Sequence, residues 1–190
     1  MAVRENTFGE LAVTVDELRL HLQLAIVDIG DGTPLMEQYI RSATDFLERA
    51  TRTTLVRRSF TLTLEAFPRE RFITIPCPPL LGVASVKYLD SVGQQQTLPA
   101  LQYAVDTNGQ PGRLCLLPGF SWPQTLAVPA SVTVVFEAGY EVLPPLLRHA
   151  VLMLAGHFYA NREATSDRRV NDVPFAVQSI VDLHAFVEAA

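Results

Sequence analysis

Cysteine and lysine are scarce in this chain. Among its 190 residues there are two cysteines, Cys77 and Cys115, too few for a disulfide framework and not spaced as a metal-binding pair. We expect both to be small buried hydrophobic residues. Lys87 is the single lysine, so the 15 basic residues are almost all arginine, against 20 acidic residues. The resulting net charge of −5 argues against a dedicated nucleic-acid binder, which normally has a basic face.

A secretory leader and a membrane-crossing run are also lacking. The first residues, MAVRENTFGELAV, contain no continuous apolar segment. The most apolar stretch, within residues 144–163, is shorter than the roughly 20 residues that a bilayer requires. We therefore expect a protein that is made in a cytoplasm and does not enter a membrane.

The sequence lacks a credible catalytic or metal-binding arrangement. His149 and His157 share a predicted helix, but eight residues correspond to about 12 Å of rise, too far for two ligands of one ion. The segment GFSWP around Ser121 has Pro123 where a nucleophile elbow needs glycine. DIGDG, at residues 28–32, lacks the alternating acids and the final glutamate of a calcium loop. The sequence predicts no catalytic residue, no metal and no cofactor.

What the chain does contain is apolar residues in helical and strand patterns, since 48% of the residues are hydrophobic and 18% charged. Thr14 and Glu17 form a capping box before a short helix, VDELRLHL. Thr33 and Pro34 predict the N-cap and first residue of a long amphipathic helix ending near Arg52. We expect its inner face to be the set with helical spacing: Leu35, Tyr39, Ala43, Phe46 and Ala50, joined by Ile40 and Leu47.

Between the helical segments the apolar period changes to two. SFTLTLEAF, FITI, VASVKYLD, QQTL, QYAVD, RLCLL and SVTVVFEAGY read as strands separated by proline- and glycine-containing turns. Proline and glycine bound these strands too often for a βαβ unit, so we expect antiparallel pairing. Trp122 is expected to anchor the irregular loop before the last strand by packing.

A helix over residues 144–163 is apolar on nearly every side. Leu147, Val151, Leu154 and Phe158 follow helical spacing, and further apolar residues fill the remaining sides. A helix of this kind needs neighbours all round, and a second copy of the chain is one way to supply them. After a polar tether, FAVQSIVDLHAFVEAA predicts a terminal helix.

The predicted fold class is α+β, with a helical core from the N- and C-terminal helices and an inserted antiparallel β unit. The expected limits are 1–55 for the N-terminal helical part, 56–141 for the β unit, and 142–190 for the C-terminal helical part with its tail. Together they form one composite domain.

Several segments, in this order and spacing, resemble the small head–tail connector (adaptor) proteins of long-tailed bacteriophages and related prophages. They are VTVDELRLHLQL; TPLMEQYIRSATDFLERATRTTLVRRSFTLTLEAFP; ITIPCPPLLGVASVKYLDSVGQQQTLPALQYAVDTNGQPGRLCL; WP; VTVVFEAGY; and PPLLRHAVLMLAGHFYANREA. The similarity covers roughly residues 13–180. One departure is the loop AIVDIGDGT, which has few charged residues.

The resemblance implies a structural virion protein without catalysis, working at the head–tail interface after assembly in the host cytoplasm. It implies a self-assembled ring, typically a dodecamer, under the portal protein, which extends the DNA channel without sequence-specific DNA binding. The ring would serve as the platform for the stopper or tail completion protein.

From the apolar helix and this resemblance we expect Met153, His157 and Tyr159 to lie near the neighbouring subunit, with Leu147, Val151, Leu154 and Phe158 buried within it. The resemblance implies that the C-terminal segment docks into the portal. The candidate docking residues are the apolar ones of the terminal helix: Phe175, Val177, Ile180, Val181, Leu183 and Phe186.

Two alternatives remain open. One is a tail completion or terminator protein, which also forms rings, although the mixed helix and strand order favours the adaptor. The other is a non-viral ligand-binding β module, for which Trp122, Tyr103 and Tyr88 are the candidate exposed aromatic residues.

Overall fold

A computed structural model describes residues 1–6, 10–24, 32–161 and 174–185. The chain divides into a β unit, residues 1–9 and 57–140, and a helical unit, residues 10–56 and 141–190. The limits expected from the sequence differ from this division at the N-terminus, where the described residues 1–6 lie with the β unit. Helices together with antiparallel sheets confirm the predicted α+β class.

The described helices are α1 (Val15–His21), α2 (Thr33–Thr51), α3 (Pro145–Ala160) and α4 (Phe175–His184). The described strands are β1 (Ala2–Glu5), β2 (Arg58–Leu64), β3 (Phe72–Ile75), β4 (Leu80–Leu89), β5 (Gln95–Thr97), β6 (Tyr103–Asp106), β7 (Gly112–Leu116) and β8 (Val132–Ala138). Most of the loop AIVDIGDGT and the tether after α3 lie outside the described residues.

The β unit consists of two antiparallel sheets, one ordered β1-β2-β8-β4-β5 and the other β3-β7-β6. Along β8, buried Val132, Val134 and Phe136 alternate with partly exposed side chains, as a half-buried strand requires. Ile73 of β3 joins the same hydrophobic cluster, so both sheets contribute to one core. Strand β1 has no counterpart in the sequence interpretation.

In the helical unit, α1 begins with the predicted capping box. The Thr14 hydroxyl accepts a hydrogen bond from the Glu17 backbone N–H at 3.2 Å, and the Glu17 carboxylate accepts one from the Thr14 N–H at 2.9 Å. For α2 the predicted cap is wrong, because Gly32 is the N-cap and Thr33 is the first helical residue. The Thr33 hydroxyl instead accepts a hydrogen bond from the Arg19 guanidinium at 3.1 Å.

The expected inner face of α2 is also wrong in part. The buried side chains are Met36, Ile40, Ala43, Thr44, Leu47 and Thr51. Leu35 and Phe46 are exposed, and Tyr39 is half-buried. Apolar residues lie on two sides of α2, and the sequence pattern allows either side to face the core. The side centred on Ile40 is the one that packs against α3 and α4. Thr44 and Thr51 fit there because each hydroxyl donates to a carbonyl four residues earlier, at 2.7 Å.

Helix α3 is packed against α1, α2 and α4. Its buried residues are Leu147, Ala150, Val151, Leu154, Ala155 and Gly156. Within the described residues, no helix has the length and hydrophobicity that crossing a membrane takes.

Candidate interaction surfaces

One side of α3 carries uncharged, partly exposed side chains next to the contact with α1. Leu146, His149, Met153 and His157 recur at intervals of three and four residues and so share one side of the helix. Leu146 and His149 are exposed, and Met153 and His157 are half-buried. The predicted interface candidates Met153 and His157 thus lie together, half-buried, on a side of α3 that also contacts α1 through His149.

The two histidines on this side are held by other contacts. The ring of His149 packs edge to face against His21, with 5.9 Å between the ring centroids. The Nδ1 atom of His157 lies 3.3 Å from the side-chain amide of Asn161, which also donates to the His157 carbonyl at 2.9 Å. Among the described residues, three or more His, Cys, Asp or Glu side chains never come together as a metal site would need.

Tyr159, the third interface candidate, contacts its own subunit. Its ring packs edge to face against Tyr39 of α2 at a centroid distance of 6.4 Å. Of the α3 residues expected to be internal, Leu147, Val151 and Leu154 are buried and Phe158 is half-buried.

The candidates on α4 fall into two groups. Val177, Ile180 and Val181 are buried within the helical unit. Phe175 and Leu183 point outward and are 87% and 75% exposed. Phe186 lies outside the described residues. The surface that α4 offers to another protein is therefore carried by Phe175 and Leu183.

A further apolar surface lies on α2, where Leu35 and Phe46 are exposed. Sequence reasoning assigned both residues to the core and so missed this surface. The available signal was that α2 has more apolar residues than one inner face can hold.

An ion pair connects α1 with α3. The Arg148 guanidinium donates to the Glu17 carboxylate, the same carboxylate that completes the capping box of α1. Both side chains are partly exposed, so solvent weakens the pair and its contribution to stability is small.

In the β unit, the aromatic side chains pack on one another. The rings of Trp122 and Phe67 stack at 4.7 Å, and Phe67 contacts Tyr88 at 5.7 Å. The Trp122 indole N–H also donates to the Glu70 carbonyl at 2.8 Å, so Trp122 anchors its loop as predicted. Burial raises the pKa of Tyr103.

Comparison with known proteins gives matches among solved structures. No protein-family profile matches the sequence, and no curated protein matches it either. The chain is similar to a protein in the neck of an empty gene transfer agent (GTA) particle computed with C6 symmetry, with a TM-score of 0.82 and 25% identity. That match covers 100% of this chain and 98% of the other.

Two further solved structures match the chain, and each match again covers 100% of this chain and 98% of the other. They are the virion of a native gene transfer agent particle, with TM-score 0.80 and 24% identity, and the neck of a native GTA particle computed with C12 symmetry, with TM-score 0.78 and 24% identity.

The class of protein follows from these matches, because the chain has, over its whole length, the fold of a structural component of a phage-like head–tail neck. The resemblance to head–tail connector proteins that the sequence indicates is thereby confirmed.

Proposed function

We propose that this chain is a head–tail adaptor, a structural protein that forms a ring under the portal of a phage-type particle and extends the DNA channel. The observation that carries the proposal is the match to the neck of a GTA particle, with a TM-score of 0.82 over 100% of this chain. Because the match includes both the helical and the β unit, it argues that this chain and the neck protein share a role, and not only that they have one module in common.

The ring is supported by the partly exposed side of α3. Leu146 and Met153 leave apolar surface on the helical unit that a neighbouring copy would cover. The matched neck structures were computed with sixfold and twelvefold symmetry, which fits a ring of repeated subunits. We propose a dodecamer.

Helix α4 is proposed as the portal contact. Phe175 and Leu183 would insert their exposed side chains into apolar pockets of the portal, while Val177, Ile180 and Val181 hold α4 on its own subunit. Phe186 remains a candidate from the sequence. The opposite side of the ring would receive the stopper or tail completion protein.

The role is structural in this proposal, with no catalytic step and no cofactor. A net charge of −5 suits a channel through which DNA slides, because phosphate contacts with basic side chains would hold the DNA. The protein would be assembled in the host cytoplasm and then remain in the virion.

The two alternatives have less support. Two of the three aromatic residues that a ligand-binding β module would use are engaged elsewhere, since Trp122 stacks on Phe67 and Phe67 contacts Tyr88. A tail terminator would also form a ring, but it would join the tail end and not the portal, so portal binding separates it from an adaptor.

The proposal is tested by mixing the purified chain with its cognate portal and measuring the mass of the complex and its electron-microscopic image. Twelve copies bound to one portal ring are expected. A ring of six, or no association with the portal, contradicts the adaptor assignment.

The portal contact is tested in the same assay with Phe175→Asp and Leu183→Asp. Each substitution should reduce co-sedimentation with the portal and leave the circular dichroism spectrum unchanged, since both side chains are exposed. Leu20→Asp, at an exposed leucine of α1, is the matched control and should bind normally. Deleting α4 is a poorer test because its buried residues belong to the core of the helical unit.

A further inference from the structure

A stripe of uncharged residues runs along the outer side of α2. It consists of Leu35, Tyr39, Ser42 and Phe46, spaced by four, three and four residues, and is called the α2 stripe below. Leu35 is 41% exposed and Phe46 is 36% exposed. The stripe is not needed for the core of its own subunit, because the side of α2 that includes Ile40 and Leu47 fills that core.

A second stripe of the same kind lies on α3. Leu146, His149, Met153 and His157 form the α3 stripe, in which Leu146 is 49% exposed. Like the α2 stripe, it contains no Asp, Glu, Lys or Arg.

The two stripes face different directions. Tyr159 of α3 contacts Tyr39 of the α2 stripe and so marks the side of α3 that faces α2. Met153 precedes Tyr159 by six residues, which is a rotation of roughly 120° around the helix axis. One helical unit therefore presents two partly exposed surfaces on two of its sides. The α3 surface borders α1, because His149 contacts His21 of that helix.

Resting on the proposed ring, we propose that the α2 stripe of one copy packs on the α3 stripe of the next copy. A cyclic ring joins each subunit to its neighbours by two different surfaces, in head-to-tail fashion. The occupant of each stripe is thus a second copy of this chain, in keeping with the C6 and C12 symmetries of the matched neck structures.

The composition of the stripes suits the centre of such an interface. Buried interface centres are poor in charge and rich in aromatic residues and methionine, and here Tyr39 and Phe46 would face Met153. His149 and His157 add polar groups at the edge of the contact. Each stripe extends over about three helical turns, so a helix-on-helix contact would involve the full length of both.

The test uses two variants of the full chain, Phe46→Glu and Met153→Glu, each of which damages one stripe. Under conditions in which the wild-type chain forms rings, neither variant by itself should form a ring, and each should be monomeric when the portal is absent. An equimolar mixture should give a heterodimer of twice the 21.0 kDa mass of one chain and no ring. The intact α3 stripe of the Phe46→Glu variant can bind the intact α2 stripe of the Met153→Glu variant. The two stripes left over in this dimer both carry a substitution, so no third copy can add.

Leu20→Glu, which places the same charge on an exposed leucine outside both stripes, is the control and should form rings. Because Met153 is half-buried, Leu146→Glu serves as a second α3 variant, and thermal unfolding checks that every variant is folded.

The outcomes separate this inference from the proposed function. Rings from either stripe variant, or a mixture that stays monomeric while the wild type forms rings, overturn the pairing of the stripes and leave the adaptor role intact. A wild-type chain that forms no ring, alone or with the portal, overturns both.

Discussion

The rings of Tyr39 and Tyr159 meet edge to face, 6.4 Å apart between centroids, and this contact joins α2 to α3. Tyr159 was an interface candidate from the sequence because it lies on a side of the apolar helix other than the one that Leu147 and Val151 share. In the structure its ring is used within the subunit, and Tyr39 is the part of the pair that borders the exposed Leu35 and Phe46. The aromatic pair therefore holds Tyr39, one member of the α2 stripe, against α3 of its own subunit.

The first prediction concerns this pair. In a double-mutant cycle with Tyr39→Ala and Tyr159→Ala, we expect a coupling free energy of about 0.5–1.5 kcal/mol, typical of aromatic pairs beyond their buried area. Urea unfolding of the wild type, both single variants and the double variant, at concentrations that keep the chain monomeric, measures it. Additive losses from the two substitutions would show that the rings do not stabilise each other.

The strands were predictable because their signals are local. The alternation in SVTVVFEAGY predicts a half-buried strand, and β8 shows it, with Val134 and Phe136 buried and Val135 between them partly exposed. The turn between β4 and β5 was likewise marked in the sequence. Strand β1 was missed because all of Ala2–Glu5 is exposed at a sheet edge, where no alternation is imposed.

The surfaces were harder to predict because burial is decided by packing and not by local pattern. The sequence indicates that α3 carries apolar residues on more sides than one helical face. It does not indicate that Ile40 would face inward while Leu35 stays outside, or that α4 would bury Val177 and expose Phe175. Which of these side chains is buried depends on how the helices pack against one another.

The second prediction concerns the turn between β4 and β5. The Asp90 carboxylate accepts hydrogen bonds from the backbone N–H of Gln94 at 2.9 Å, the side-chain amide of Gln96 at 3.1 Å and the backbone N–H of Val92 at 3.0 Å. The Gln94 backbone bond, and then the Gln96 amide, hold the pKa of Asp90 below its ordinary value. Gln96→Ala should therefore raise the Asp90 titration midpoint measured by NMR.

The same shift makes stability depend on pH. A carboxyl group with a lower pKa in the folded state adds stability above its unfolded pKa and loses that contribution as the pH falls through the folded value. Asp90→Ala should thus be less stable than the wild type at neutral pH, and the difference should shrink in acid. A difference that stays constant down to pH values below the folded pKa contradicts this role of the carboxylate.

The third prediction concerns Gly112, where a strand of one sheet lies close to Leu80 of the other sheet. A Cβ atom at Gly112 of β7 would lie 2.6 Å from the Cβ of Leu80 in β4, whereas a Cβ at Gly82 of the same strand would meet nothing within 4 Å. Because the clash includes the Cβ of buried Leu80 and not only the end of its side chain, the strand itself would have to move. We expect Gly112→Ala to lower the free energy of unfolding by about 1–3 kcal/mol.

Gly82→Ala is the matched control and should leave the stability within about 1 kcal/mol of the wild type, with any gain arising from the less flexible unfolded chain. Urea unfolding measures both, and equal losses in the two variants would show that the glycines matter for backbone freedom and not for the spacing of the sheets.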